Sequence, residues 1–240
     1  NSQKLTIEII EPELKDKEKI NILVSYFDFD QEFQYGDRLI FSGVLKIPTN
    51  FITDQGKEFD YINYLKKDDI FYVMNSSQIE IVSRNHGSKI KSFLFSIKTK
   101  FLEKINLAIT SPENLLLGGL ILGEKSAFDA DLRQAFVDTG TIHIIALSGY
   151  NVTIVAEWFM SLFVFLPQFL AIGMGIVAIF FFVLMTGGSS TAIRAGIMAV
   201  LALVARATGR NYDVARALVL AGVLMILINP LILVYDVSFQ

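Results

Sequence analysis

The chain has 240 residues, of which 52% are hydrophobic, with a net charge of −3 and no cysteine, so disulfide scaffolds and thiol chemistry are excluded. The histidines are His86 and His143, so a histidine-rich metal site is not expected. Residues 139–240 hold as formal charges only Glu157, Arg194, Arg206, Arg210, Asp213, Arg216 and Asp236, the pattern of a soluble domain followed by a membrane domain. No secretory signal opens the chain and it stops after an apolar run, as expected of an internal piece of a longer membrane protein.

Residues 1–85 read as β-rich. LTIEII (Leu5–Ile10), INILVSYF (Ile20–Phe27), RLIFSGVLKI (Arg38–Ile47), DIFYVM (Asp69–Met74) and QIEIVS (Gln78–Ser83) are short runs of β-branched and aromatic residues, several alternating with polar ones. Turn residues separate them, and a short helix fits Phe59–Lys67. Five strands and one helix predict a small OB-like β-barrel. This domain carries 15 acidic residues against 10 basic ones, which argues against a strong electrostatic grip on nucleic acid. Its rings, among them Phe27, Phe33, Tyr35, Tyr61, Tyr64, Phe71 and Tyr72, either fill the core or offer stacking surfaces to bases.

Residues 86–111 form a connector. Ile90, Phe93, Leu94, Ile97, Phe101, Leu102, Ile105 and Ile109 recur at helical spacing, with Lys89, Lys91, Lys98, Lys100 and Lys104 on much of the remainder. Such a helix lies on anionic headgroups, packs as a connector with a solvated face, or leads a phosphate backbone toward a pore. Ser111-Pro112-Glu113 reads as a helix start, with Ser111 as the N-cap. LLLGGLIL (Leu115–Leu122) is too short to span and Gly123 ends it; FDADLRQAFVDTG reads as a second short helix with Gly140 just past its end.

Hydrophobic spans are expected at about 142–166, 169–186, 191–206 and 216–234 within a membrane domain of residues 112–240. Pro230 should break the last. Arg206, Arg210 and Arg216 place their loop in the cytoplasm by the positive-inside rule, and counting back places the N-terminal domain outside.

The first span keeps His143, Ser148, Gly149, Asn151 and Glu157 at bilayer depth. Polar groups there are costly unless they face water or a protein partner, so a discontinuous helix lining a route or a helix junction is expected. A hydrolase reading of His143 and Ser148 meets a geometric objection: five residues on a straight helix put them about 140° apart. Arg194 either snorkels to the interface or faces a channel, with Glu157 as its expected partner. No glycine-rich phosphate loop with a lysine is present, so the chain is no ATPase.

LLLGGLILGEKSAFDADLRQAFVDTGTIHIIALSGYNVTIV, the S-T-x-x-R-A block (Ser190–Ala195) and the N-P…D-x-x-F-Q ending resemble the competence domain of the ComEC-type DNA-uptake channel family, over about residues 112–240. The F-D-Y-x-x-Y-L stretch (Phe59–Leu65) fits that family's OB-like extracytoplasmic domain. Asn151 departs from the histidine many members carry there. The resemblance implies a multi-pass plasma-membrane protein that passes single-stranded DNA in natural transformation. Its partners would be single-stranded DNA, the bilayer, other competence proteins and a further copy of itself. It implies no cofactor and no enzymatic activity, the family's metallo-β-lactamase-like domain and its metal motif being absent from this stretch. The alternatives are a membrane scaffold or small-solute transporter, and an intramembrane hydrolase.

Overall fold

The computed structural model describes residues 3–9, 20–26, 33–53, 56–76, 78–123, 130–141 and 167–236, with Val152, Ile154, Glu157, Trp158, Ser161, Phe165 and Phe239. The chain divides into two compact units, one of Asn1–Ser88 with Ile228–Ser238, the other of Lys89–Leu227 with Phe239.

The first unit contains β1 (Gln3–Ile9), β2 (Ile20–Tyr26), β3 (Arg38–Phe41), β4 (Leu45–Lys46), β5 (Phe51–Ile52), β6 (Glu58–Phe59), α1 (Tyr61–Lys66), β7 (Ile70–Ser76) and β8 (Ile79–Ser83). One sheet runs β1-β2-β7-β4, with β1 antiparallel and β7 parallel to β2. β3 pairs with β8, and β5 with β6, as separate two-stranded ribbons. On β2 the alternation Ile22, Val24, Tyr26 points inward, and these residues form the core with Met74 and Ile79. Tyr26 meets Phe33 edge to face at 5.5 Å.

The expected OB-like barrel is not what forms. Among the described residues the four-stranded sheet is mixed, the two ribbons are antiparallel and no sheet closes on itself. RLIFSGVLKI, read as one strand, breaks into β3 and the two-residue β4. Gly43 sits at the break, where a Cβ would come within 2.8 Å of the Met74 side chain and 2.9 Å of the Asn75 carbonyl. Backbone therefore lies against backbone there, and a ladder of two residues is too short to carry hydrogen bonding round into a closed cylinder.

The second unit contains α2 (Lys89–Ala108), α3 (Glu113–Leu122), α4 (Ala130–Asp138), α5 (Gln168–Met185), α6 (Ser190–Ala207) and α7 (Val214–Ile228), whose last residue passes into the first unit. α8 (Ile232–Tyr235) follows there. Gly123 closes α3 with φ +68°, as its position suggests. Ser111 is not the cap of α3: Pro112 occupies that position and makes no side-chain capping bond.

The expectation of a polytopic helical domain is also corrected. Among the described residues two helices, α5 and α6, are long and apolar enough to cross a membrane, each of 18 residues. Asn229-Pro230 cuts the last expected span, leaving α7 with 15 residues. The Pro230 N–H is missing, and the Asn229 side-chain oxygen accepts the Leu231 N–H at 3.1 Å instead. The first expected span falls largely outside the described residues.

Candidate functional site

The α5–α6 hairpin is built by its turn and its small residues. Gly187 and Gly188 take φ +85° and +65°, reversing the chain. Ser189 Oγ then accepts the Ala192 N–H at 3.3 Å and caps α6. Ala192, Gly196, Ala199 and Leu203 recur along one face of α6 and are buried, as are Ile172, Ile179 and Phe182 on α5. A Cβ at Gly196 would lie 2.9 Å from Val183 Cγ2, so the glycine sets how closely the helices approach. Leu122 and the fully buried Val152 complete this core.

Away from that seam α5 is apolar and largely exposed, and most of α6 is half-buried. Only 28% of α5 and 22% of α6 is buried. Phe169, Leu170, Val177 and Phe180 stand out from α5. A core helix of a soluble protein would be mostly covered, whereas lipid is a suitable neighbour for such a surface. α2 is similar. Leu94 and Ile105 turn inward, while Ile90, Phe93, Ile97 and Phe101 form an exposed stripe beside Lys89, Lys100 and Lys104. Between α2 and α5 lies an apolar groove of ≈ 580 Å³ lined by residues such as Leu94, Ile97, Met174 and Phe181.

Arg194 lies near the start of α6, half-buried and already engaged by neighbours. Glu157 is helical and exposed, and its carbonyl accepts the Ser161 hydroxyl at 2.8 Å. His143, Ser148, Gly149 and Asn151 lie outside the described residues.

A second constellation escaped sequence reading. Lys67, just past α1, places Nζ 3.2 Å from Asp236 Oδ2 and 5.0 Å from the centre of the Tyr64 ring. Asn229 Nδ2 donates to the Lys67 carbonyl at 2.8 Å. Asp60 caps α1 through the Asn63 N–H at 3.1 Å and accepts the Asn63 side-chain amide at 2.8 Å. Those two bonds hold the Asp60 carboxyl below its usual range against some burial, with the Tyr235 hydroxyl adding to them. Burial opposes charge on Lys67, but Asp68 and Asp236 outweigh it and raise its pKa. The F-D-Y-x-x-Y-L and N-P…D blocks thus meet in the first unit. Both were visible in the sequence as separate motifs; nothing in their spacing announced that they touch.

Residues 120–240 match the competence protein family over just more than half of the chain. The chain belongs to that family. It is also similar to ComE operon protein 3 of Bacillus subtilis (strain 168), 23% identical over 201 residues, which cover 83% of this chain and 25% of the relative. The chain therefore spans a quarter of that relative's length. No solved structure matches. The family and the two long apolar helices together identify a membrane protein of competence.

Proposed function

We propose that the chain forms part of a plasma-membrane conduit that passes a single strand of DNA during natural transformation. Membership of the competence family across the α5–α6 hairpin carries this reading. In it, Arg194 borders the route together with His143, Ser148, Gly149, Asn151 and Glu157. A cation held at membrane depth is costly and is kept where it meets negative charge, which a phosphate backbone supplies. The two long helices among the described residues do not by themselves enclose a hydrated path, and in this reading a further copy of the chain or another competence protein contributes to the wall. The step is transport without catalysis. Arg206, Arg210 and Arg216 mark the cytoplasmic side, and the β unit is read as extracytoplasmic.

The test is transformation efficiency in cells carrying Arg194→Glu or Arg194→Lys at the unaltered membrane level. The lysine variant is expected to keep most uptake and the glutamate variant to lose it. Normal uptake with Arg194→Glu would remove this residue from the route.

A further inference from the structure

The β5–β6 hairpin and α1 carry a contiguous set of rings. Phe51 lies 5.3 Å from Phe59 and 5.8 Å from Tyr61, Phe59 lies 5.5 Å from Tyr64, and Tyr61 stacks on Tyr64 at 6.3 Å. Asn50 fixes the hairpin to the helix, its side chain reaching both Glu58 and the Ile62 N–H at 3.3 Å. Phe51 is 50% exposed and Ile52 74%, while Phe59, Tyr61 and Tyr64 are half-buried. A water-facing domain has no reason to hold an ordered aromatic hairpin in solvent.

What covers it follows from where the cluster is tied. Tyr64 contacts Lys67, and Lys67 is held by Asn229 and Asp236. Those residues belong to the segment that begins at Ile228, the last residue of apolar α7. The chain leaves apolar α7 at Asn229-Pro230, and Leu233 and Val234 of α8 just beyond are exposed. Phenylalanine and tyrosine rings beside a lysine are the side chains that settle at a headgroup boundary. A nucleic acid is the poorer occupant. The segment carrying the rings and its latch holds Glu58, Asp60, Asp68, Asp69 and Asp236 against Lys57, Lys66 and Lys67, a balance that disfavours phosphate chains but is indifferent to zwitterionic headgroups.

We propose that Phe51, Ile52, Phe59, Tyr61 and Tyr64 form a bilayer-interface anchor, seated among zwitterionic phospholipid headgroups beside the segment that follows α7. This rests on the membrane reading above. The exposed side chains of the anchor, Phe51 and Ile52, are committed to lipid.

The full chain, with Trp158→Phe to remove its native tryptophan, is reconstituted in phosphatidylcholine vesicles carrying Phe51→Trp, Ile52→Trp or, on α5, Val177→Trp. Emission from positions 51 and 52 is expected to shift to the blue and to be lost when the lipid is brominated near the glycerol backbone, with no change on adding oligothymidylate, and emission from 177, at the middle of α5, to be lost when the lipid is brominated near the chain ends. Bromolipid quenching at 177 but at neither 51 nor 52 overturns the anchor and leaves the membrane reading standing. No quenching at any of the three overturns both. Quenching at 51 and 52 by oligothymidylate instead of bromolipid assigns the rings to nucleic-acid strands and overturns the anchor.

Discussion

Lys67 Nζ and Asp236 Oδ2 stand 3.2 Å apart, joining side chains only 11% and 7% exposed across 169 positions of sequence. Each charge has been largely taken out of water and faces the other, with Asp68 also 3.6 Å from the lysine. The pair closes the β unit with residues that follow all the apolar helices described above.

Removing either partner takes the nearest opposite charge from a buried group, although Asp68 stays 3.6 Å from Lys67 when Asp236 is lost. Lys67→Met or Asp236→Leu is expected to destabilise the first unit by about 3 kcal/mol, while the double variant recovers most of that loss. Thermal unfolding in detergent, followed by protease sensitivity of the β unit, measures the cycle. Additive losses in the double variant would show that the two side chains are not coupled.

Alkaline pH acts on the same place. Lys67 is raised as described, and burial raises Tyr61 with Tyr64 adding to the effect. Both groups bind their protons more tightly in the folded unit than in the unfolded chain. Their stabilisation is therefore complete below about pH 10 and is lost as pH climbs through the raised folded values. Asp60 is depressed, so its contribution is present above about pH 4 and is lost as pH falls through the lowered folded value. Amide exchange across residues 60–67 against pH should show both limbs, and Lys67→Met with Tyr61→Phe should flatten the alkaline one. An unchanged alkaline limb in that variant would place the titrating groups elsewhere.

The helix seam makes a sharp comparison between two glycines. Gly196→Leu drives a side chain into Val183 and is expected to cost about 1–3 kcal/mol of hairpin stability. Gly173, on α5, has nothing within 4 Å of its notional Cβ, so Gly173→Ala should be neutral or stabilising by up to about 1 kcal/mol. Cysteine pairs across α5 and α6, scored by crosslinking yield, report the seam directly. Equal yields in the two variants would mean that Gly196 does not set the approach.

The turn residues give a milder effect. Ser189→Ala loses the acceptor for the Ala192 N–H and should weaken the start of α6 by about 1 kcal/mol. Faster amide exchange at residues 190–193 with unchanged exchange at 200–203 is the expected signature. No change at 190–193 would discount the cap.

Local signals in the sequence were read well where local physics decides. The alternation of Ile22, Val24 and Tyr26 specifies an inward strand face. Gly123 and Pro230 end their helices because one tolerates φ > 0 and the other lacks an N–H. Closure of the β unit was misjudged because it depends on which edges pair. Single-strand patterns are silent on that, and the β5–β6 ribbon was missed because two-residue strands leave no periodicity. Polar residues before α5 drew attention because charge in an apolar run is conspicuous. Lys67 and Asp236 did not, because a lysine after a helix and an aspartate at the end of an apolar run look ordinary until long-range folding brings them together.

The ordering of residues along the chain turns this architecture into a matter of timing. The strands leave the ribosome first, yet Asn229 and Asp236 arrive only after α5, α6 and α7 have been made. Until then Lys67 has Asp68 beside it but not Asp236, so the last contacts of the β unit are made only after its apolar helices have been synthesised.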